Sequence, residues 1–472
     1  MSKKRFLVFL LLILTAMQAL PQIHSIRVNQ IGYQLFGQKY AFLANMNTQS
    51  FDVCDAKTNE VVYTGSMGGG TYWDMSDETL QIADFSDFQT EGSYYIRSGE
   101  QTSFPFVIQK ENIFTAISKA SIRAFYYWRA STELLPEYAT FNGVDFSRPL
   151  GHADTEVKIH KSAATKTRPE GTLVSAPKGW YDAGDYNLYV VNAGISFHSL
   201  AFAYELFPEY YKSLNLNIPE SGNGVPDILN ELKWELDWLF AMQDEDGGVY
   251  TKLSSLRFCS MILPHEDNLE RYMIGKSTAS ALDFAAMMAM ASRIFADYEN
   301  DFPHVSEQAL TAAKNAWNWA KKYPAVYYTN PIDVFTGGYT DKNVEDEFFW
   351  AAAELYVTTK EKKYFEELNF NKDFTVPEWG NVTTLGLMSL VLHENEFPQV
   401  KNIIRSSFDK LTADLFTKYE NSGNRVPIVK YNWGSNGYIA SCGSLLGLAY
   451  KKMPNLAIYE EEIDGVSTGE FY

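Results

Sequence analysis

Cysteine is almost absent from this chain, with only Cys54, Cys259 and Cys442 among 472 residues. The three lie far apart, form no C-x-x-C pair, and their odd number excludes a disulfide-stapled framework. Buried, inert thiols are the expectation. Histidine is scarce too. The seven show no paired metal spacing and no H-E-x-x-H, so no metal centre is expected in the chemistry. Basic charge is short: 40 Lys and Arg face 58 Asp and Glu, a net charge of −18. No large basic surface is available to neutralise phosphates, which excludes a nucleic-acid partner and favours a neutral one. Long apolar runs are missing beyond the N-terminus. There Lys3-Lys4-Arg5 precedes an unbroken run from Phe6 to Leu14, with small residues from Ala16 to Ala19 near a cut site. This reads as a secretory signal over residues 1–22, because the run is too short to span a membrane comfortably. A secreted or periplasmic monomer without a stable membrane anchor is expected.

Aromatic residues, by contrast, make up 15% of the chain. Most belong to a core, but exposed rings also suit a sugar, whose C–H face packs on aromatics. The length fits two or three domains. Residues 23–110 read as all-β. Short strand-like runs at 26–30, 40–45, 51–54, 61–63, 94–96 and 104–109 alternate with turn residues, the pattern of a sandwich. From about Asn112 the apolar residues recur at helical spacing, and about ten helices are expected as far as Lys451. The stretch from Ser277 to Phe295 is apolar nearly all round, as a buried helix is. The polar, Pro-containing loop from about Asp145 to Lys178 is expected to line a cleft.

The stretch richest in chemistry is Gly179-Trp180-Tyr181-Asp182-Ala183-Gly184-Asp185-Tyr186-Asn187. Asp182 and Asp185 stand three residues apart with only Ala and Gly between them. Carboxylates at close range can hold and deprotonate one water, and flanking rings suit a sugar. Taken alone, D-x-x-D is also ordinary turn chemistry. Trp180, Tyr186 and Trp433 are the expected substrate-binding aromatics, with Trp128 and Trp350 as further candidates. Trp234, Trp238, Trp317 and Trp319 sit in helical patterns and are expected in the core.

Other segments accompany this motif in a fixed order. They include Ile26-Arg27-Val28-Asn29-Gln30-Ile31-Gly32-Tyr33, Ala83-Asp84-Phe85-Ser86, Pro219-Glu220-Ser221-Gly222-Asn223-Gly224-Val225-Pro226-Asp227, Gly247-Gly248-Val249-Tyr250 and Trp350-Ala351-Ala352-Ala353-Glu354-Leu355-Tyr356. With them the chain resembles glycoside hydrolase family 9, in the branch carrying an N-terminal immunoglobulin-like domain. The resemblance implies an immunoglobulin-like β-sandwich (23–110) followed by an all-α (α/α)6 barrel (112–472). It implies hydrolysis of β-1,4-glucans with inversion, usually as an endoglucanase, on a β-glucan polysaccharide or oligosaccharide. Asp185 would be the general base and Asp182 would help hold the same water. The chemistry would need no cofactor. Structural Ca2+ occurs in relatives and could sit at Asp244-Glu245-Asp246, although a solvated loop is the plainer reading of those residues.

The chain departs from the family pattern twice. The family's general acid is a Glu near the C-terminus, beyond a His-Arg segment. No such segment follows Tyr450, and Glu460, Glu461, Glu462 and Glu470 stand in no recognisable context, so none receives the acid role. The expected barrel is therefore truncated at its C-terminal end. The second departure is Thr251, where a sugar-contacting His is expected. The rivals are a non-catalytic glycan-binding protein, an inactive truncated enzyme, and a hydrolase of xyloglucan or mixed-linkage glucan.

Overall fold

The computed structural model describes residues 24–452. The expected signal over 1–22 and the tail with Glu460, Glu461, Glu462 and Glu470 lie outside them. The described residues form two compact units, one from 24–113 with Lys418–Tyr431, the other from Phe114–Thr417 with 432–452. Lys418–Tyr431, expected in the helical region, packs with the sandwich instead. There Tyr431 meets Trp73 edge to face at 5.6 Å.

The first unit contains β1 (Ile26–Arg27), β2 (Tyr33–Gln34), β3 (Tyr40–Ala44), β4 (Ser50–Asp55), β5 (Val61–Ser66), β6 (Thr71–Trp73), β7 (Glu78–Asp84), β8 (Gly92–Ser98), β9 (Gln101–Thr102) and β10 (Phe106–Gln109). They form two sheets, β1-β3-β7-β6 and β2-β10-β8-β4-β5, with β9 on β8. Alternation selects the core: in β8, Tyr94, Ile96 and Ser98 are buried and their neighbours are not. The register against β5 shifts between Val53 and Cys54; Val53 faces the sandwich core, and the Cys54 thiol is buried as well.

Nine helices of ten or more residues lie among the described residues, all in the second unit except the last turn of the eighth, which belongs to the first. These are α1 (Thr115–Trp128), α2 (Val190–Leu206), α3 (Asp227–Met242), α4 (Thr278–Phe295), α5 (Val305–Lys322), α6 (Glu345–Thr359), α7 (Thr383–Leu392), α8 (Lys401–Asn421) and α9 (Ser435–Lys452). The helix expected near Glu361–Leu368 shrinks to the single turn Lys362–Phe365. Ser277 caps α4 by accepting the Ser280 N–H at 3.1 Å. By length and composition Thr278–Tyr298 could cross a bilayer, but here it is a core helix. Nearly all of α4, α6 and α7 is buried, whereas α5 and α8 bury one face. This is the division of labour between inner and outer helices.

A five-stranded sheet, not expected from sequence, sits on this scaffold. Its strands are β11 (Val157–Ile159), β12 (Leu173–Val174), β13 (Leu188–Tyr189), β14 (Tyr250–Ser254) and β15 (Tyr272–Lys276), in the order β12-β11-β15-β14-β13. The expected loop 145–178 thus supplies two strands. The register sets Tyr189 opposite Lys252, and β13 fixes the chain just after the aspartates.

Candidate active site

The aspartate motif folds as a tight turn. The Asp182 N–H donates to Asn187 O at 3.0 Å, and the Tyr186 N–H to Ala183 O at 3.1 Å. Tyr186 adopts the left-handed φ of +56°, uncommon for an aromatic residue. Arg271 fixes it there, donating to Tyr186 O at 2.7 Å while paired with Asp154. The turn is entered through Gly179 at φ +84°, where a Cβ would lie 2.3 Å from Leu188 Cδ2 and 2.9 Å from Trp238 Cγ. Only glycine fits.

Around Asp185 the hydrogen-bond directions are determined. Asn187 Oδ1 accepts the Ser255 N–H at 3.1 Å, so its Nδ2 must be the atom that donates to Asp185 Oδ2 at 2.9 Å. The Tyr189 hydroxyl accepts the Gly337 N–H at 3.1 Å, so its own proton goes to Asp185 Oδ2 at 2.8 Å. Oδ2 is therefore doubly bonded. Oδ1 receives one long contact, the Asn187 N–H at 3.4 Å, and keeps capacity for a water.

Asp182 is held differently: Asn192 Nδ2 donates to Oδ1 at 2.7 Å and Tyr339 OH to Oδ2 at 2.9 Å. The residue is exposed by area, yet protein on its other sides desolvates the carboxyl and pushes it above the usual range. The bonds from Asn192 and Tyr339 pull it back, and the Asp185 charge adds to the rise. The two tyrosines that serve the two aspartates touch, their rings 4.7 Å apart.

Asp182 and Asn192 line a depression with Phe125, Trp128, Trp180 and Tyr189. Trp180 is no open platform. It is 7% exposed, its N–H donates to Glu235 at 2.7 Å, and its indole N–H points to Glu231 at 3.3 Å. Burial pushes the Glu235 carboxyl up to about 8. Trp128, 49% exposed on the same depression, offers the freer face. Tyr186 is half-buried and commits its hydroxyl to Ile262 O at 2.5 Å. Trp433 stands 99% exposed at the entrance to α9, and nothing among the described contacts joins it to the aspartate turn. Trp350 is sealed in the core with its N–H on Glu354. Thr251 is buried too, 3.5 Å from Ser277 Oγ.

The acidic loop does not keep its charge for Ca2+. Lys276 bonds Asp244 at 2.5 Å and Asp246 at 2.9 Å, and Arg168 reaches Asp244 at 3.2 Å. Cys259 is only half-buried, its Sγ 3.7 Å from Gly184 O beside the turn, unlike the sealed Cys54 and Cys442.

With this geometry in view, the family comparison is decisive. Residues 114–466 match glycosyl hydrolase family 9, and residues 22–103 match a cellulase N-terminal Ig-like domain. The chain belongs to glycosyl hydrolase family 9. It is 40% identical over 376 residues to a xyloglucan-specific endo-β-1,4-glucanase of Bacteroides ovatus, covering 77% of this chain and 63% of that protein. It is 32% identical over 456 residues to endoglucanase D of Acetivibrio thermocellus, covering 94% of this chain and 70% of that one. A solved family 9 structure from Bacteroides ovatus superposes with a TM-score of 0.86 at 34% identity, over 94% of this chain and 84% of that one. A β-sandwich followed by a helical catalytic domain is thus a family 9 arrangement, and hydrolysis by paired carboxylates requires no cofactor.

Proposed function

We propose that this chain is an endo-acting β-1,4-glucan hydrolase that inverts the anomeric centre, with Asp185 as general base. The observation that carries this reading is the asymmetry of Asp185: Oδ2 accepts two hydrogen bonds while Oδ1 is left open. A water held between Oδ1 and Asp182 gives its proton to Asp185 as its oxygen attacks the anomeric carbon. The glycosidic C–O bond breaks on the opposite face, and the leaving oxygen takes a proton from a general acid. That acid is not assigned to any described residue. Trp128, beside Phe125 in the depression, supports a sugar ring bound next to the carboxylates. A polymeric substrate also supports the export expected from residues 1–22.

Replacing Asp185 by Ala should lower hydrolysis of carboxymethyl cellulose by ~10²–10⁴-fold with the circular dichroism unchanged. Undiminished turnover would remove Asp185 from the role. Glucan binding by the unaltered chain with no new reducing ends would select the non-catalytic reading instead.

A second reading, preference for xyloglucan, is favoured by the 40% identity to a xyloglucan-specific relative. Phe258, Met261 and Leu263 are exposed on the segment that accepts the Tyr186 hydroxyl bond, and such apolar side chains suit a branched glucan. A higher kcat/KM on xyloglucan than on unbranched cellulose oligosaccharides is the outcome that selects it.

A further inference from the structure

Lys252 on β14 is buried and has no role in the chemistry above. A buried ammonium is costly unless its donors are matched. Its three hydrogen bonds go to oxygens of one segment: Asn330 Oδ1 at 2.9 Å, Thr336 Oγ1 at 3.0 Å and Gly337 O at 2.6 Å. The ammonium therefore pins residues 330–337 against the sheet. Gly337, gripped through its carbonyl, uses its N–H to orient Tyr189, and the Tyr189 hydroxyl donates a hydrogen bond to Asp185. A Cβ on Gly337 would lie 2.6 Å from Tyr339 Cε2 and 3.1 Å from the Tyr189 Cζ, so the tyrosines of both aspartates are packed on this one residue.

We propose that Lys252 is a positioning residue for Asp185, fixing the Gly337–Tyr189 hydrogen bond that aims the carboxylate. This rests on the reading of Asp185 as the base. The titratable groups facing Lys252 are Asp185 from the turn, Tyr189 from β13 and Tyr328 from the segment beyond α5, the two rings centred 5.6 and 5.5 Å from Nζ. Burial lowers Lys252 to about 7, against a smaller opposite pull from Asp185. Between that pH and the ordinary lysine value the unfolded chain binds more protons than the native one. Stability therefore rises with pH across this window, and below it the charged lysine weakens the fold. A lysine retained at such a cost serves geometry, not stability.

The test uses the full chain, Lys252→Met and Lys252→Arg, on 2,4-dinitrophenyl β-cellobioside. Its leaving group needs no protonation, so the rate reports the base alone. Lys252→Met should lower kcat about tenfold or more with KM changed less than about twofold. Lys252→Arg, which keeps a cation able to hold residues 330–337, should recover most of the lost kcat, and the melting temperature of Lys252→Met should not fall. An unchanged kcat, a loss that appears in KM alone, or a loss that simply tracks a lower melting temperature overturns the proposal. Lys252→Gln replaces Lys252→Met if the latter does not fold. In parallel, carbodiimide labelling of Asp185 is followed by mass spectrometry at one fixed pH. Its extent should rise in Lys252→Met, where the Tyr189 bond no longer holds the carboxylate, and not in Lys252→Arg, and no change overturns the proposal. If the unaltered chain leaves the glycoside intact, the hydrolase reading fails while the labelling still decides the role of Lys252.

Discussion

Asn187 leaves the Asp185 carboxylate little freedom. Its amide oxygen is tied to Ser255 and Arg271, so its nitrogen can only donate, and it donates to Asp185. Asp182 depends on Tyr339 in the same way. Tyr339→Phe removes a donor that favours the Asp182 anion, so that carboxyl should rise further. If both aspartates must be ionised, the acid limb of kcat/KM moves to higher pH in Tyr339→Phe. A pH–rate profile that superposes on that of the unaltered chain would contradict this. Asp182 and Asp185 were legible in the sequence because four consecutive small or acidic residues between aromatics are conspicuous. Asn192, Lys252 and Tyr339 were not, since Asn192 and Tyr339 reach the turn from α2 and from beyond residue 337, and Lys252 acts on it from β14 through Gly337 and Tyr189. Only folding makes these neighbours. Trp180 was legible as a neighbour of the aspartates but not as a buried anchor, because the carboxyls of Glu231 and Glu235 that fix it come from α3.

The helices were easier to read than the strands. The all-round apolar character of α4 is local and emerges from sequence, whereas its Ser277 cap shows only in the structure. The five-stranded sheet was missed because its strands have two to five residues and include Lys252 and Lys276, where an alternating apolar pattern is sought. β7 was missed for a related reason: Gln81 is buried in it, satisfied by Thr48 N and by the Thr48 and Gly68 carbonyls. Between helices the polar core is concentrated at Arg293 of α4, which pairs with Glu205 of α2 and Glu354 of α6. Removing only the cation, as in Arg293→Met, strands two buried carboxylates and should cost about 3–5 kcal/mol in denaturant unfolding. Burial raises the Glu205 carboxyl, but the Arg293 charge and the bonds from His393 and Arg293 outweigh it and bring Glu205 down to about 2. Its contribution to stability is thus complete above the ordinary Glu value of 4.5 and is lost as the pH falls toward 2. That acid-side loss should be largely absent in Arg293→Met. A variant as stable as the unaltered chain at pH 7 would contradict the pairing.

On the scale of the whole molecule, the net charge of −18 matters most for the substrate. Attraction of a charged polymer would be strongly screened by salt. A neutral glucan should show kcat/KM on a soluble oligosaccharide changing less than ~2-fold between low and moderate ionic strength. A steep salt dependence would point to a charged substrate instead. The two units, β-sandwich and helical domain, were legible from the change of period near residue 112. The return of Lys418–Tyr431 to the sandwich was not, because nothing in a helix-like stretch announces which unit it packs against.

The claim on which the functional account rests is that Asp185 delivers water to the face opposite the leaving oxygen. Proton NMR of the first sugar released from a β-1,4-glucan oligosaccharide tests it most directly. The α-anomer should appear first and then mutarotate, and both events should vanish in Asp185→Ala. A β-anomer appearing first, or unchanged product formation in Asp185→Ala, would contradict it.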